Sequence, residues 1–427
     1  MKKRLIKGAR VIDPSVGRDE IADVLFEEGG AILAVGKDLT ADADADVYEA
    51  SGLVLAPGLV DLHVHLRDPG LTHKEDVFTG CRAAAAGGVT SVFAMPNTAP
   101  ALDAPETIRA LLEKAATADA RVYPVAAVTK GLKGECMTDF AALKEAGAAA
   151  FSDDGRPVLT ADLTERALKE ANAVGLPFMA HCEELTLVRG GLMNEGNVSR
   201  ELGVPGVTRA AEDVGTAREI ALAAATGCPV HICHVSTAYS VQMIRDAQKN
   251  GIPVTGETAP HYIALTDEAL RSKDADYRMS PPLRTAEDQA ALIRGLQDGT
   301  LCAIATDHAP HAPEEKADFE KAPNGSIGME TSLAASLTYL VHAGHLTMTE
   351  LIRAMSTAPA NIAGIPAGTV QVGAAADIVL FDPDEEWVVD VAKLHGKSVN
   401  CPFKGMTLKG RVKMTFCGGR TVYADER

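Results

Sequence analysis

Aromatic side chains are scarce in this chain, at 4% of 427 residues. That disfavours an aromatic-rich β architecture and suits tightly packed α/β layers, for which Ala and Gly are plentiful. No apolar stretch approaches the ~20 residues needed to cross a bilayer. Basic residues are outnumbered, 41 against 58 acidic, and the net charge of -17 argues against nucleic acid or an anionic membrane as partner. An anionic substrate would therefore need local positive charge. The eight cysteines (Cys81, Cys136, Cys182, Cys228, Cys233, Cys302, Cys401 and Cys417) contain no CxxC pair. After the basic start at Lys2, Lys3 and Arg4 the chain is too polar for a signal peptide, so free thiols and a cytoplasmic protein are expected. A GxGxxG or Walker loop opening a helix is also missing, which weakens a nucleotide-fold reading.

What is present is a strand-and-turn pattern at both ends and alternating elements between. Arg4 to Val11, Ile21 to Glu27 and Ala31 to Val35 read as strands, with Gly29-Gly30 as a hairpin turn. Asp377 to Phe381, Val412 to Phe416 and Arg420 to Tyr423 repeat that style at the other end, around Gly418-Gly419. Neither end can bury a core alone, so residues 1–55 and 366–427 are expected to build one small β-sandwich domain. In 56–365, strands are predicted at Val89 to Met95, Val122 to Val128, Ala148 to Ser152, Phe178 to His181, Val230 to Val235, Pro253 to Glu257 and Ala303 to Thr306. Helices are predicted at Pro105 to Ala118, Leu163 to Val174, Arg209 to Thr226, Tyr239 to Asn250 and Glu287 to Gln297. Repeated β-then-α units of this number fit an α/β fold of the (β/α)₈ TIM type. A doubly wound open sheet is the alternative.

The run Leu53 to Val60 reads as a buried strand leading into Asp61-Leu62-His63-Val64-His65. Alternate residues of a strand share a face, so His63 and His65 point the same way, as metal ligands would. Other chemistry collects at strand ends: Asn97, Asp153-Asp154, His181, His231, His234, His261, Asp307-His308 and His311. In a barrel those ends converge on one face. Four or five histidines with two carboxylates exceed one four-coordinate site and suit two divalent ions sharing an anionic bridge, supplied by Asp153 or Asp154. Metal-assisted hydrolysis of a carbonyl compound is the expected reaction class, with Asp307 as proton shuttle.

The HxH strand and the late aspartate resemble the amidohydrolase superfamily, and finer motifs resemble dihydroorotase of the longer bacterial type. These are DLHVHLRDPG (Asp61 to Gly70), MPNT (Met95 to Thr98), SDDG (Ser152 to Gly155), HICHVS (His231 to Ser236), ETAPHY (Glu257 to Tyr262), SPPLR (Ser280 to Arg284) and ATDHAPH (Ala305 to His311). The resemblance implies that His63, His65 and Asp307 hold one Zn²⁺ and that His181 and His234 hold a second. Asp154 and a hydroxide would bridge them, at the place where many relatives use a carbamylated lysine. It implies interconversion of L-dihydroorotate and N-carbamoyl-L-aspartate in pyrimidine (UMP) synthesis. The hydroxide would attack the ring carbonyl, with Asp307 as general acid and base. His65, Arg67, Asn97, Ser280, His311, Asn324 and Gly325 would contact substrate, Arg67 as a carboxylate clamp. Ser280 and Asn324 depart from the family's usual Asn and Phe. A homo-oligomer, and a complex with aspartate transcarbamoylase, are also implied. Competing readings are an allantoinase or hydantoinase, and a non-catalytic scaffold. Gly155 to Leu159 and Pro313 to Pro323, loop-like and beside the presumed ligands, are expected to act as lids.

Overall fold

The apolar run from Leu53 to Val60, read above as one strand, is two. In the computed structural model, which describes residues 2–425 and so leaves Met1 and residues 426–427 outside, Val54–Pro57 and Leu59–Val64 (β1) belong to different sheets. The change of sheet falls at Gly58. Its N–H donates to Asp377 O at 2.9 Å and its carbonyl accepts from Ser356 Oγ at 2.8 Å. A Cβ there would lie 2.2 Å from Thr90 Oγ1, so the crossing needs glycine for close approach.

Strands from both ends of the described chain form one sheet. Its order is Arg420–Ala424, Thr407–Cys417, Ile378–Val388, Val54–Pro57, Lys3–Asp13, Arg18–Glu27 and Ile32–Gly36, with Asp46–Glu49 also beside Lys3–Asp13. The two ends meet where Val54–Pro57 pairs antiparallel with Ile378 to Phe381. Phe26 and Phe416 lie on strands far apart in this order, yet their rings meet edge-to-face at 5.0 Å. The sheet therefore curls over on itself into a sandwich, closed on a core that includes Ile6, Val11, Val24, Leu55 and Ile378.

Among the described residues, eight parallel strands make the barrel. They are β1, then Val89–Ala94 (β2), Arg121–Ala126 (β3), Ala150–Phe151 (β4), Met179–Ala180 (β5), Val230–Ile232 (β6), Val254–Thr258 (β7) and Ala303–Ile304 (β8). β1 to β4 and β5 to β8 pair in sequence. Bridges from Phe151 to Phe178 and from Val64 to His308 close the ring. Helices follow the strands: Val77–Ala86 (α1), Pro105–Ala115 (α2), Phe140–Glu145 (α3), Ala161–Val174 (α4), Ala210–Thr226 (α5), Ala238–Lys249 (α6), Ala286–Gln297 (α7) and Met329–Ser336 (α8). In α4, Leu163, Thr164, Ala167, Leu168 and Ala171 make the buried stripe, Thr160 caps the N-terminus and Gly175 ends it at φ 70°. This is the TIM-type barrel with a β-sandwich domain that the alternation predicts, and the open doubly wound sheet is set aside. Among the described residues no helix is long and apolar enough to cross a membrane.

Gly58→Ala forces a methyl into the buried Thr90 side chain. It is expected to cost about 1–3 kcal/mol in chemical denaturation, and Thr90→Ala in the same chain should recover part of that loss.

Candidate active site

β1 carries a register irregularity between Asp61 and Val64. The extra residue changes parity: Val60 and Leu62 pack in the barrel interior, while His63 and His65, of the opposite parity, both turn to the barrel mouth. There they meet Asp154, after β4, and Asp307, after β8. His63 Nε2 lies 3.2 Å from Asp154 Oδ1 and 3.6 Å from Asp307 Oδ1. His65 Nε2 lies 3.4 Å from Asp154 Oδ2 and 3.2 Å from Asp307 Oδ1. His181, after β5, brings Nδ1 to 3.3 Å from Asp154 Oδ1 and 2.9 Å from His234 Nε2. His234, after β6, reaches the same oxygen at 3.4 Å.

Outer partners assign the ring tautomers. His65 Nδ1 faces Asn97 Oδ1 at 2.8 Å, His63 Nδ1 faces Glu257 Oε1 at 3.4 Å, and His181 Nε2 faces Glu183 Oε2 at 3.6 Å. Each partner is an acceptor, so a ring that keeps its proton on that side aims the lone pair of its other nitrogen inward. Neither ring nitrogen of His63 has a hydrogen-bond partner although the residue is fully buried; Glu257 is the carboxylate nearest its Nδ1. Lone pairs facing carboxylate oxygens repel unless a cation lies among them. The separations from Asp154 and Asp307, 3.2 to 3.6 Å, lie near the roughly 3.3–3.6 Å expected between ligands about 2.0–2.2 Å from a tetrahedral ion, while the His181–His234 pair at 2.9 Å is closer. Two donor groups result, His63, His65 and Asp154 beside Asp307, and Asp154, His181 and His234, with Asp154 common to both. The donor chemistry fits divalent ions. Cys233 and Glu257 form a third group with His63, and burial beside Glu257 pushes the Cys233 thiol up to about 12.

Three further carboxylates, all buried, hold the backbone beside these groups. Asp61 accepts from Thr306 N at 3.0 Å, Thr306 Oγ1 at 2.6 Å and His63 N at 3.3 Å, tying β1 to β8 next to Asp307. Asp153 accepts from Thr129 N at 3.0 Å and from the Thr129 hydroxyl, and so orders the loop that presents Asp154. Glu212 accepts from Ser236 N at 2.9 Å, from the Ser236 hydroxyl and from Thr237 N at 3.1 Å, just past His234. Arg67, His234 and Asp307 adopt φ of 59°, 37° and 48°, uncommon for residues with a Cβ, and the ties to Ser236 and Thr306 lie beside the last two.

Above this cluster lies a cavity of about 320 Å³, lined by His65, Arg67, Asn97, Asp154, His181, Glu183, His234, Ser280, Asp307, His311, Asn324 and Gly325 among others. Every residue predicted from sequence to bind metal or substrate lines it except His63, which sits beneath. Arg67 is buried, and burial brings its pKa down only to about 10, so it stays charged. It pairs with neither Asp68, which binds Lys114 at 2.5 Å, nor Glu75, which accepts from Lys397 N. Among the described residues it donates within the protein only through Nε, to Pro310 O at 3.2 Å. Ser280 donates to Glu183 Oε1 at 3.2 Å. Asn324 turns its side chain to Arg278 Nη2 at 3.2 Å and its carbonyl to His311 Nε2 at 2.9 Å.

Three histidines of the strand-end pattern stand apart from the cavity. His231 lies inside the barrel, bonded to Thr255 Oγ1 at 2.8 Å and Glu257 Oε2 at 3.1 Å, because β6 begins at Val230 and its second residue is still within the strand. His308 accepts from Gly328 N at 3.1 Å. His261 is buried behind the site, and burial lowers its pKa to about 4. Sequence reasoning missed Glu183 and Glu257. Glu183 follows His181 by two residues in His181-Cys182-Glu183 and carried a local signal; Glu257 meets His63 across the barrel and carried none.

A family model described as Dihydro-orotase-like matches residues 52–240. The dihydroorotase of Geotalea daltonii is 52% identical over 420 residues, covering 98% of this chain and 98% of that protein. That of Citrifermentans bemidjiense is 50% identical over 421 residues, covering 98% and 99%. Among solved structures, L-hydantoinase (dihydropyrimidinase) from Arthrobacter aurescens superposes with TM-score 0.89 at 25% identity, covering 100% of this chain and 97% of that one. Identity of this order along nearly the whole of both chains settles the kinship: the chain belongs to the dihydroorotase family of cyclic amidohydrolases.

Proposed function

We propose that this chain interconverts L-dihydroorotate and N-carbamoyl-L-aspartate in pyrimidine biosynthesis, as a cytoplasmic enzyme holding two zinc ions. The reading rests on the inward-facing lone pairs around Asp154, together with a charged, buried guanidinium in the same cavity. His63, His65 and Asp307 would hold one ion, His181 and His234 the other, and Asp154 both. Ions so held supply a water acidified toward neutral pH and polarise the ring carbonyl.

The chain's own groups would do the rest. Arg67 offers its remaining N–H groups to the substrate carboxylate, a bidentate match that offsets the acidic balance of the whole protein. Asn97, held against His65, and His311, held by Asn324, complete the wall around that carboxylate. Asp307 carries the proton: its Oδ1 receives it as the ring opens and returns it to the departing ring nitrogen, and ring closure runs the same transfer backwards. The position after Ser152 and Asp153 holds Asp154 rather than lysine, and Arg67 lies two residues past the HxH; both favour the anionic ureide over the neutral rings of a hydantoinase.

Purified protein should open the ring of L-dihydroorotate and carry about two divalent ions per chain. Turnover of neutral hydantoins with none of dihydroorotate would overturn the substrate. Asp307→Asn should keep the fold, judged by circular dichroism, and lower kcat by about 10²–10⁴-fold, because an amide cannot carry the proton. Glu257→Gln should loosen His63 and weaken metal affinity by about 10- to 100-fold in a chelator competition titration.

A further inference from the structure

The loop between β8 and α8 contains a buried ammonium that the chemistry above does not use. Lys316 is only 8% exposed. Its Nζ donates to three backbone carbonyls, Gly325 O at 2.9 Å, Pro323 O at 3.0 Å and Arg278 O at 3.4 Å. The nearby carboxylates Asp274 and Asp276 are engaged by Lys404 at 2.8 and 2.7 Å, and among the described residues Lys316 has no ion-pair partner. Burial, reinforced by Arg278 and Lys404 and opposed by Asp276 and Asp274, brings its pKa down to about 8. A charge buried at such a cost, and spent wholly on carbonyls, has a geometric task.

We propose that Lys316 is a positioning residue for substrate binding: its ammonium gathers the carbonyls of Arg278, Pro323 and Gly325 and so sets the Asn324–Gly325 wall of the cavity. Through Asn324 O it also sets the ring of His311. Both backbone groups of Gly325 are already used, its N–H by Arg278 O at 2.8 Å and its carbonyl by Lys316 and by Asn400 Nδ2 at 3.1 Å. Gly325 therefore contributes shape. At φ 131°, a Cβ there would press to 3.1 Å from His311 Nε2. Lys316 lies in Pro313 to Pro323, the segment read from sequence as a lid, and it clasps that segment against the barrel mouth.

The inference deepens the proposed function and rests on it for its kinetic reading alone. Lys316→Met keeps the stem and removes the donors. Gly325 O retains Asn400 and Arg278 O retains Gly325 N, so the loop loosens without losing every tie. With L-dihydroorotate, KM should rise about tenfold or more while kcat stays within about twofold and metal content is unchanged. Hydrogen exchange should quicken in peptides spanning 322–326 and stay unchanged in those spanning β1 and β6. Unchanged KM with unchanged exchange would overturn the proposal, as would loss of metal with kcat and KM altered together. If the parent protein fails to turn over dihydroorotate, the substrate reading falls, and the exchange comparison still decides the role of Lys316.

Discussion

A set of electron pairs aimed at one another is the arrangement on which the rest of this molecule depends. His63, His65, His181 and His234 each bring a nitrogen within 3.5 Å of Asp154, and three of the rings are turned by partners that take their proton on the far side. With those protons on the far side such a cluster is unfavourable by itself, since its inward atoms are acceptors withdrawn from water. It persists because each strand end is anchored independently. Asp61 and Glu212 accept backbone and hydroxyl hydrogens from residues one to three positions from Asp307 and His234, and Asp153, next to Asp154, accepts from Thr129, so the repulsion is borne by several strands at once. The barrel is well suited to this, because eight strand ends share one mouth and each needs only a local tie.

Carboxylates consequently play two distinct parts. Asp154 and Asp307 face the cluster, each within 3.6 Å of imidazole nitrogens of both His63 and His65. Asp61 and Asp153 face backbone donors, yet burial still lifts each to about 6. Adjacent positions such as Asp153 and Asp154 thus face opposite ways, one ordering a loop and the other meeting the imidazoles. Only the direction of each side chain separates them.

Much of this was legible in the sequence. Strand ends stood out because single polar residues interrupt apolar runs, and the HxH spacing alone put two imidazoles on one face. The longer helices with a polar side were found, whereas α1, α3 and α8 were not: Met329, Thr331 to Ser336 and most of Val77 to Ala86 are buried, so no periodic contrast exists to read, and α3 has only six residues. His231 was read one layer too high because a short strand gives no local sign of where it ends. Glu257, Lys316 and Asn400 escaped notice for another reason, since their partners lie on other strands or loops and only folding brings them together. The change of sheet at Gly58 did carry a local sign, the Pro57-Gly58 pair, inside a run read as one strand.

That crossing has a consequence for synthesis on the ribosome. Val54–Pro57 obtains its antiparallel neighbour only when the strand starting at Ile378 has been made. At roughly 5–20 residues per second, the wait from Pro57 to Ile378 is about 15–65 s. Throughout that interval the nascent chain carries an unpaired apolar edge, open to other chains and to holdase chaperones. The length of that exposure scales inversely with the rate of elongation.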